Sequence, residues 1–377
     1  MISTSALTRT TLRHAAVHGP HGSLLAIRLD WRSPAGVEAP ETDALLPELV
    51  QFLCAPNTRW MLPIASAREL NSPALDSLPS GNWVEFGAEL AVDAPSRERL
   101  QHLANRGIRL VCQSSLPERH PLSDTVLSGS ALEGSGDLRT GVRRLEQMEK
   151  AFQQGAKATV GWPVHNPIGT GSGNGESDIR LVLEILQRID QGESVDKLEA
   201  ILDRSPTLSF RLMGYLNSAA CNLRSEVNSL RHAIMMLGYA RLRQWVALLL
   251  ASSVETPRTR PLMQASVRRA FLLQKIAACQ GSLDDHGDLF LCGAFSLLDQ
   301  MLGKPMAALL DPMPITAEVK DALVRQKGPL APYLDLARLL ESDSPVDMAE
   351  SFEATATTQQ EINLALLEAL NTAFASG

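Results

Sequence analysis

Near its middle the chain carries ten consecutive uncharged residues, Asn166-Pro167-Ile168-Gly169-Thr170-Gly171-Ser172-Gly173-Asn174-Gly175, four of them glycine. Glycine loses the most conformational freedom on ordering, and runs of this composition behave as flexible linkers. Regular structure is therefore expected to stop on either side. The chain divides into an N-terminal part, residues 1–165, a linker, 166–177, and a C-terminal part, 178–377.

The two sides differ in patterning. Before the linker, short apolar runs at 24–29, 60–65, 83–86 and 108–112 alternate with helix-like stretches at 43–54 and 95–106. Gly107 follows the second stretch as a C-cap. Strand–helix alternation predicts a parallel α/β sheet or barrel.

After the linker the pattern is helical throughout. Ser177 and Asp178 can cap a helix carrying Leu181, Leu183, Ile185, Leu186 and Ile189. Val195, Leu198, Ile201 and Leu202 follow, and Pro206 suits the first turn of a helix with Leu208, Leu212 and Leu216. Further helical patterns run over 229–237, 239–253, 260–280, 288–302, 316–326 and 358–374. Residues 253–262, with Pro257 and Pro261, read as a loop. The expected architecture is α/β plus all-α.

With 377 residues, 45% hydrophobic and 20% charged, the chain can bury two cores, which excludes a disordered or collagen-like protein. Its net charge of -7 disfavours broad nucleic-acid binding, which needs a basic face. Cysteines stand at 54, 112, 221, 279 and 292, an odd number with no C-x-x-C pair. That reads as a reducing cytoplasm, not a disulfide framework or zinc knuckle. Met1-Ile2-Ser3-Thr4 lacks the features of a signal peptide, and the apolar run 246–251 is far short of the roughly 20 residues that span a membrane.

Three segments of the helical half carry a resemblance. They are 202–208 with Asp203, Pro206 and Leu208, then 212–218 with Asn217 and Ser218, then 229–238 with Ala233, Ile234, Leu237 and Gly238. Their order and spacing resemble the HDOD family of bacterial signalling domains. The bottom-up reading of these residues is structural: Asn217-Ser218 terminate a helix, and Ala233, Ile234 and Leu237 form an apolar face that Gly238 ends. HDOD domains are similar to HD-type metal phosphohydrolases, whose His-Asp pair would fall at Leu298-Asp299 here. Leucine ligates no metal, so the resemblance implies no hydrolase centre, and Asp299 reads as a surface or capping carboxylate. Asp284, Asp285, His286 and Asp288 could hold a metal but suit helix N-cap chemistry better. His14, His18 and His21 are spaced for one helix face, which Gly19-Pro20 would interrupt, and His232 reads as a surface residue.

The N-terminal half resembles a degenerate EAL domain, a (β/α)8-type barrel that hydrolyses cyclic di-GMP with divalent metals. The resemblance rests on Trp60 to Leu90, where a strand, Ser66-x-x-x-Leu70, Leu78-Pro79 and Trp83-Val84-Glu85-Phe86 follow in order. Gly155, Gly161-Trp162-Pro163 and Val160 resemble the closing region. Glu85 would match one metal ligand. The signature glutamate falls near Arg28, the strand asparagine near Ile64, and the paired aspartates at Gln113 and Ser114. No lysine precedes Lys150, so the catalytic lysine has no candidate. About 145 residues stand where a full barrel takes about 250, so strand–helix units are expected to be missing or reduced.

Together the resemblances imply a reduced EAL-like barrel followed by an all-helical HDOD domain. The reading is a cytoplasmic, non-catalytic signalling scaffold that binds protein partners, with no resident metal or cofactor. The alternative is a receptor that binds cyclic di-GMP without cutting it, through Arg28, Arg32, Arg59 and Arg68. DNA binding is a weaker reading. Residues 194–218 and 224–250 have helix–turn–helix-like spacing, with Arg224, Arg231, Arg241 and Arg243 near, but helix 206–216 is rich in Leu and Met. Residual phosphohydrolase activity is the fourth.

Overall fold

The computed structural model describes residues 6–32, 42–54, 58–113, 125–128, 137–167, 176–202, 238–240, 242–244, 246–249, 256–280, 286–313, 315–342 and 348–374. Two compact units emerge. One comprises Met1–Asn166 with Arg338–Leu367, the other Pro167–Ala337 with Glu368–Gly377. Residues 338–367, expected with the C-terminal part, group with the N-terminal one.

The first unit is a closed barrel of eight strands. They are β1 (Thr11–His18), β2 (Leu24–Arg32), β3 (Trp60–Ile64), β4 (Trp83–Gly87), β5 (Arg109–Gln113), β6 (Thr125–Ser128), β7 (Leu138–Arg139) and β8 (Ala158–Val160). β1 runs antiparallel to both its neighbours, β2 and β8, and the pairings from β2 round to β8 are parallel. Parallel pairs need crossovers, and helices Thr42–Leu53, Ala94–Asn105 and Leu145–Gln153 supply three of them. All eight strands are present. β7 is only two residues long.

Two features of the strand–helix reading correspond to local chemistry. Asp93 accepts from Ser96 N at 3.0 Å and caps the helix Ala94–Asn105. Gly107, at φ +82, turns the chain into β5, a backbone region that glycine adopts without strain. The helix face drawn through His14, His18 and His21 is overturned. His14 and His18 lie in β1, whose ladder with β2 holds the segment extended, and His21 sits in a turn at φ 61.

The barrel core is a layer contributed by seven of the strands: Val17, Ala26, Met61, Trp83, Val111, Leu138, Ala158 and Val160. Below it the Arg109 guanidinium lies 5.4 Å over the Trp83 ring. Alternate residues such as Val84 and Phe86 point outward and are fully buried under the surrounding helices.

A buried amide is central to how residues 338–367 join this unit, alongside bonds from Arg13 to Ser342 O and from His14 to Leu340 O. The Asn363 side chain, 0% exposed, accepts from Leu12 N at 3.0 Å and donates to Leu7 O at 2.8 Å and Thr10 O at 2.5 Å. Thr11 Oγ1 donates to Gln359 Oε1 at 2.9 Å beside it.

The second unit is helical. Its described helices include Glu176–Asp190, Val195–Leu202, Arg260–Cys279, His286–Phe295, Leu298–Leu302 and Met306–Leu310. The helix expected over 288–302 is two helices. The Ser296 hydroxyl donates to Gly293 O at 2.8 Å and accepts from Arg269 Nη1 at 3.1 Å, and the chain breaks there. Pro261, expected in a loop, occupies the first turn of Arg260–Cys279, where its missing N–H costs nothing. That helix packs tightly on His286–Phe295. A Cβ placed on Gly293 would fall 2.3 Å from Ala270 N, and Phe271 meets Phe290 edge-on at 5.6 Å between centroids.

Two outcomes are expected. Asn363→Leu removes the partners of three buried backbone groups, each worth about 1–3 kcal/mol when left unsatisfied. Urea denaturation should report a large loss of stability. Gly293→Ala should lower the melting temperature of the helical unit, because the close contact is with backbone that cannot yield locally.

Candidate functional site

The period of two along a strand decides what lies above the apolar layer. Arg28, Glu85 and Gln113 each stand two residues beyond a layer residue, namely Ala26, Trp83 and Val111. All three therefore face the barrel interior on its C-terminal side, where barrel chemistry is built.

They form one cluster. Arg28 Nε donates to Glu85 Oε2 at 2.6 Å and Arg28 Nη2 to Glu85 Oε1 at 3.1 Å, a bidentate pair. Gln113 Nε2 donates to the same Glu85 Oε1. Glu85 is 1% exposed and the Arg28 side chain 18%. The place where the resemblance sets a metal-binding glutamate is thus held by a guanidinium. Both Glu85 oxygens are already engaged. These residues do not fit a divalent metal, which needs several anionic oxygens with open positions. Among the described residues no group of three or more His, Cys, Asp or Glu could hold a metal.

The remaining candidates are dispersed. Ile64 ends β3 and is buried; Ser114 lies outside the described residues. Arg32 reaches Asp30 at 3.6 Å on the surface. Arg59 precedes β3 beside Gly81, and Arg68 lies in the short helix Ala67–Leu70. The four arginines of the receptor reading do not form the kind of tight cluster that Arg28 makes with Glu85 and Gln113. Read along the chain, Glu85 is an isolated carboxylate and Arg28 stands where one is missing. Their complementary charges are the signal that they pair.

In the helical unit, Leu298 is fully buried and Asp299 accepts from the adjacent Gln300 N at 2.9 Å. Asp284 and Asp285 lie outside the described residues. Asp288 is engaged, accepting from Thr316 Oγ1 at 2.6 Å and facing Arg243 Nη1 at 3.8 Å, while Arg243 Nε lies 3.3 Å from Asp190. Arg243 therefore ties helices together. Arg224, Arg231, Arg241 and His232 are outside the described residues, as are Asp203, Pro206, Leu208, Asn217, Ser218, Ala233, Ile234 and Leu237. Gly238 is described and carries φ +73, a backbone region that glycine adopts without strain.

Arg28→Ala would leave the buried Glu85 charge without its partner. Breaking a buried pair from one side costs about 3–5 kcal/mol, and chemical denaturation of the full chain should show a loss of that order. Arg28→Lys, a single ammonium in place of the fork, should restore only part of it.

Comparison with known proteins places these observations. The chain is 29% identical over 163 residues to a protein of Vibrio cholerae named cyclic di-GMP phosphodiesterase CdgJ, covering 43% of this chain and 38% of that one. It is 22% identical over 224 residues to YuxH of Bacillus subtilis, covering 58% and 54%. The alignments thus span less than two thirds of either relative. Among solved structures, the PaMucR phosphodiesterase in complex with c-di-GMP is similar at 12% identity and a TM-score of 0.33, covering 42% of this chain and 96% of that one. The EAL domain of Mycobacterium smegmatis DcpA is similar at 14% and 0.32, covering 42% and 92%. No described helix is long and apolar enough to cross a membrane. The sequence profile of the HDOD domain matches residues 179–323, and that region of the chain is an HDOD domain.

Proposed function

We propose that this chain is a regulatory protein of bacterial cyclic di-GMP signalling that works by binding partner proteins and does not hydrolyse the nucleotide. The signalling assignment is supported by the HDOD domain and by the activity for which the Vibrio cholerae relative is named. The loss of catalysis is supported chiefly by the Arg28–Glu85 pair. Metal-assisted phosphodiester hydrolysis needs clustered carboxylates to hold cations and orient a water. Here the charge of Glu85, the carboxylate at the expected ligand position, is balanced by a guanidinium 2.6 Å away. A divalent ion would have to displace that cation. The absence of any lysine before Lys150 removes a second expected part of the machinery.

A receptor for cyclic di-GMP is the second reading, favoured by the arginines that line a cavity at the barrel mouth, Arg28, Arg143 and Arg338. The test is incubation of the purified full chain with cyclic di-GMP and magnesium or manganese, followed by chromatography and calorimetry. No product above the blank is expected. Turnover that Glu85→Ala abolishes would refute the proposal. Heat of binding without turnover would select the receptor reading over the scaffold.

A further inference from the structure

At the barrel mouth lies a cavity of about 110 Å³, walled by Ala15 of β1, Arg28 of β2, the loops after β7 and β8, and the end of the helix Ala331–Glu341. Drug-sized molecules occupy about 300–1,000 Å³, and a cavity of about 150 Å³ holds a benzene. The space therefore suits a molecule of a few carbon atoms and not a whole cyclic dinucleotide.

Its walls are fixed. Gly161, at φ +142, lets the two loops meet backbone to backbone, since a Cβ there would fall 2.2 Å from Val142 O. Val142 N donates to Val160 O at 3.2 Å and His165 N to Arg143 O at 2.9 Å. The final turn of the helix is anchored by the fully buried Leu340, whose carbonyl meets His14 Nδ1 at 3.1 Å. Just beyond it, Ser342 O accepts from Arg13 Nη1 at 3.1 Å. A ligand finds the cavity already formed, which lowers the cost of binding.

The lining divides in two. Ala15, Val142, Val160, Trp162 and Val164 make an apolar floor, continuous with the barrel's apolar layer through Val160. Arg28 reaches the cavity with its charge already balanced by Glu85. Apart from His165, the remaining charged side chains are Arg143, Arg338 and Glu341, which leave an excess of positive charge. Arg143 is exposed and ties its loop through main-chain bonds, leaving its guanidinium uncommitted among the described residues. A phosphate group fits this lining poorly. Phosphate sites draw on free backbone N–H groups, and those of Val142, Arg143, Gly161, Val164 and His165 already donate within the protein. A carboxylate needs less, because one guanidinium fork satisfies both of its oxygens.

We propose that this cavity is a binding site for a short-chain carboxylate, its carbon body on the floor of Val142, Val160 and Trp162 and its carboxylate on Arg143, with Arg338 beside it. The site goes beyond the functional reading above and does not rest on it, since neither partner binding nor the loss of hydrolysis requires a small acid.

Saturation-transfer NMR on the full chain tests it, with butyrate and butylammonium as probes and inorganic phosphate as a competitor at constant ionic strength. Saturable binding of butyrate in the millimolar range is expected, with none of butylammonium. Arg143→Gln keeps the main-chain bonds of its loop and is expected to weaken butyrate by about tenfold, the loss of a charge-assisted pair. Glu341→Gln removes the one carboxylate of the lining and is expected to tighten butyrate several-fold. Ala15→Met fills the floor and is expected to abolish binding. Absence of butyrate binding, equal binding of butylammonium, or an affinity unchanged by both Arg143→Gln and Ala15→Met would each overturn the site. Phosphate that displaces butyrate at a concentration below butyrate's own midpoint would overturn the carboxylate assignment. Calorimetry with cyclic di-GMP reports on the receptor reading alone, so the two readings can fail separately.

Discussion

A sheet with open edges presents rows of unpaired N–H and C=O groups, and eight short strands cannot hide them by length alone. β1 removes both edges by pairing antiparallel with β2 on one side and β8 on the other. Everything inside the barrel depends on that closure. The apolar layer around Trp83 is enclosed because β1 supplies Val17 opposite Val160. The start of β1 has no further strand to satisfy it, and Asn363, 351 positions along the chain from Leu12, does so instead. That buried amide is one of the contacts that tie residues 338–367 to a unit that begins at the N-terminus.

The chemistry of the interior follows from the same geometry. Positions two residues beyond the apolar layer face the barrel interior, where Glu85 is 1% exposed. A charge there needs a partner, because an unpaired buried charge is expensive. In a metal-dependent barrel the partner of a glutamate is a cation from solution. In this chain it is Arg28 of β2, two strands away, with Gln113 of β5 beside it. The built-in guanidinium keeps Glu85 buried and satisfied, with both of its carboxylate oxygens engaged. The electrostatic demand of the buried Glu85 is met within the chain.

The helical unit shows a comparable economy with polar groups. Ser296 ends one helix by bonding to Gly293 O and receives Arg269 from the neighbouring helix, where Gly293 permits the close approach. Asp288, which in the sequence looks like a metal-ligand candidate, is occupied by Thr316 and Arg243. Burial with Asp288 nearby pushes the Cys292 thiol up to about 12, so it stays protonated and unreactive at neutral pH. In each case an ionisable side chain that could have signalled a reaction serves packing.

Local patterning was enough to establish the two kinds of structure, the strands from β2 to β5, the helices Ala94–Asn105 and Arg260–Cys279, and the HDOD resemblance. Each of these rests on near-neighbour spacing, caps or glycine turns, which a short window contains. β1 escaped because its alternation is broken by His14 and His18, buried polar groups whose partners lie in other segments. β6 and β7 are four and two residues long, too short for any period to register. The fate of Glu85 depended on Arg28, 57 positions away, and the limits of the barrel unit on Asn363 at the other end of the chain. Which residues become strand, helix and apolar core follows from local periodicity, and the amino-acid order carries that information unaided. Which charges neutralise each other, and which distant segment closes the barrel, was settled by folding alone, because both depend on contacts between residues that no stretch of neighbouring positions brings together.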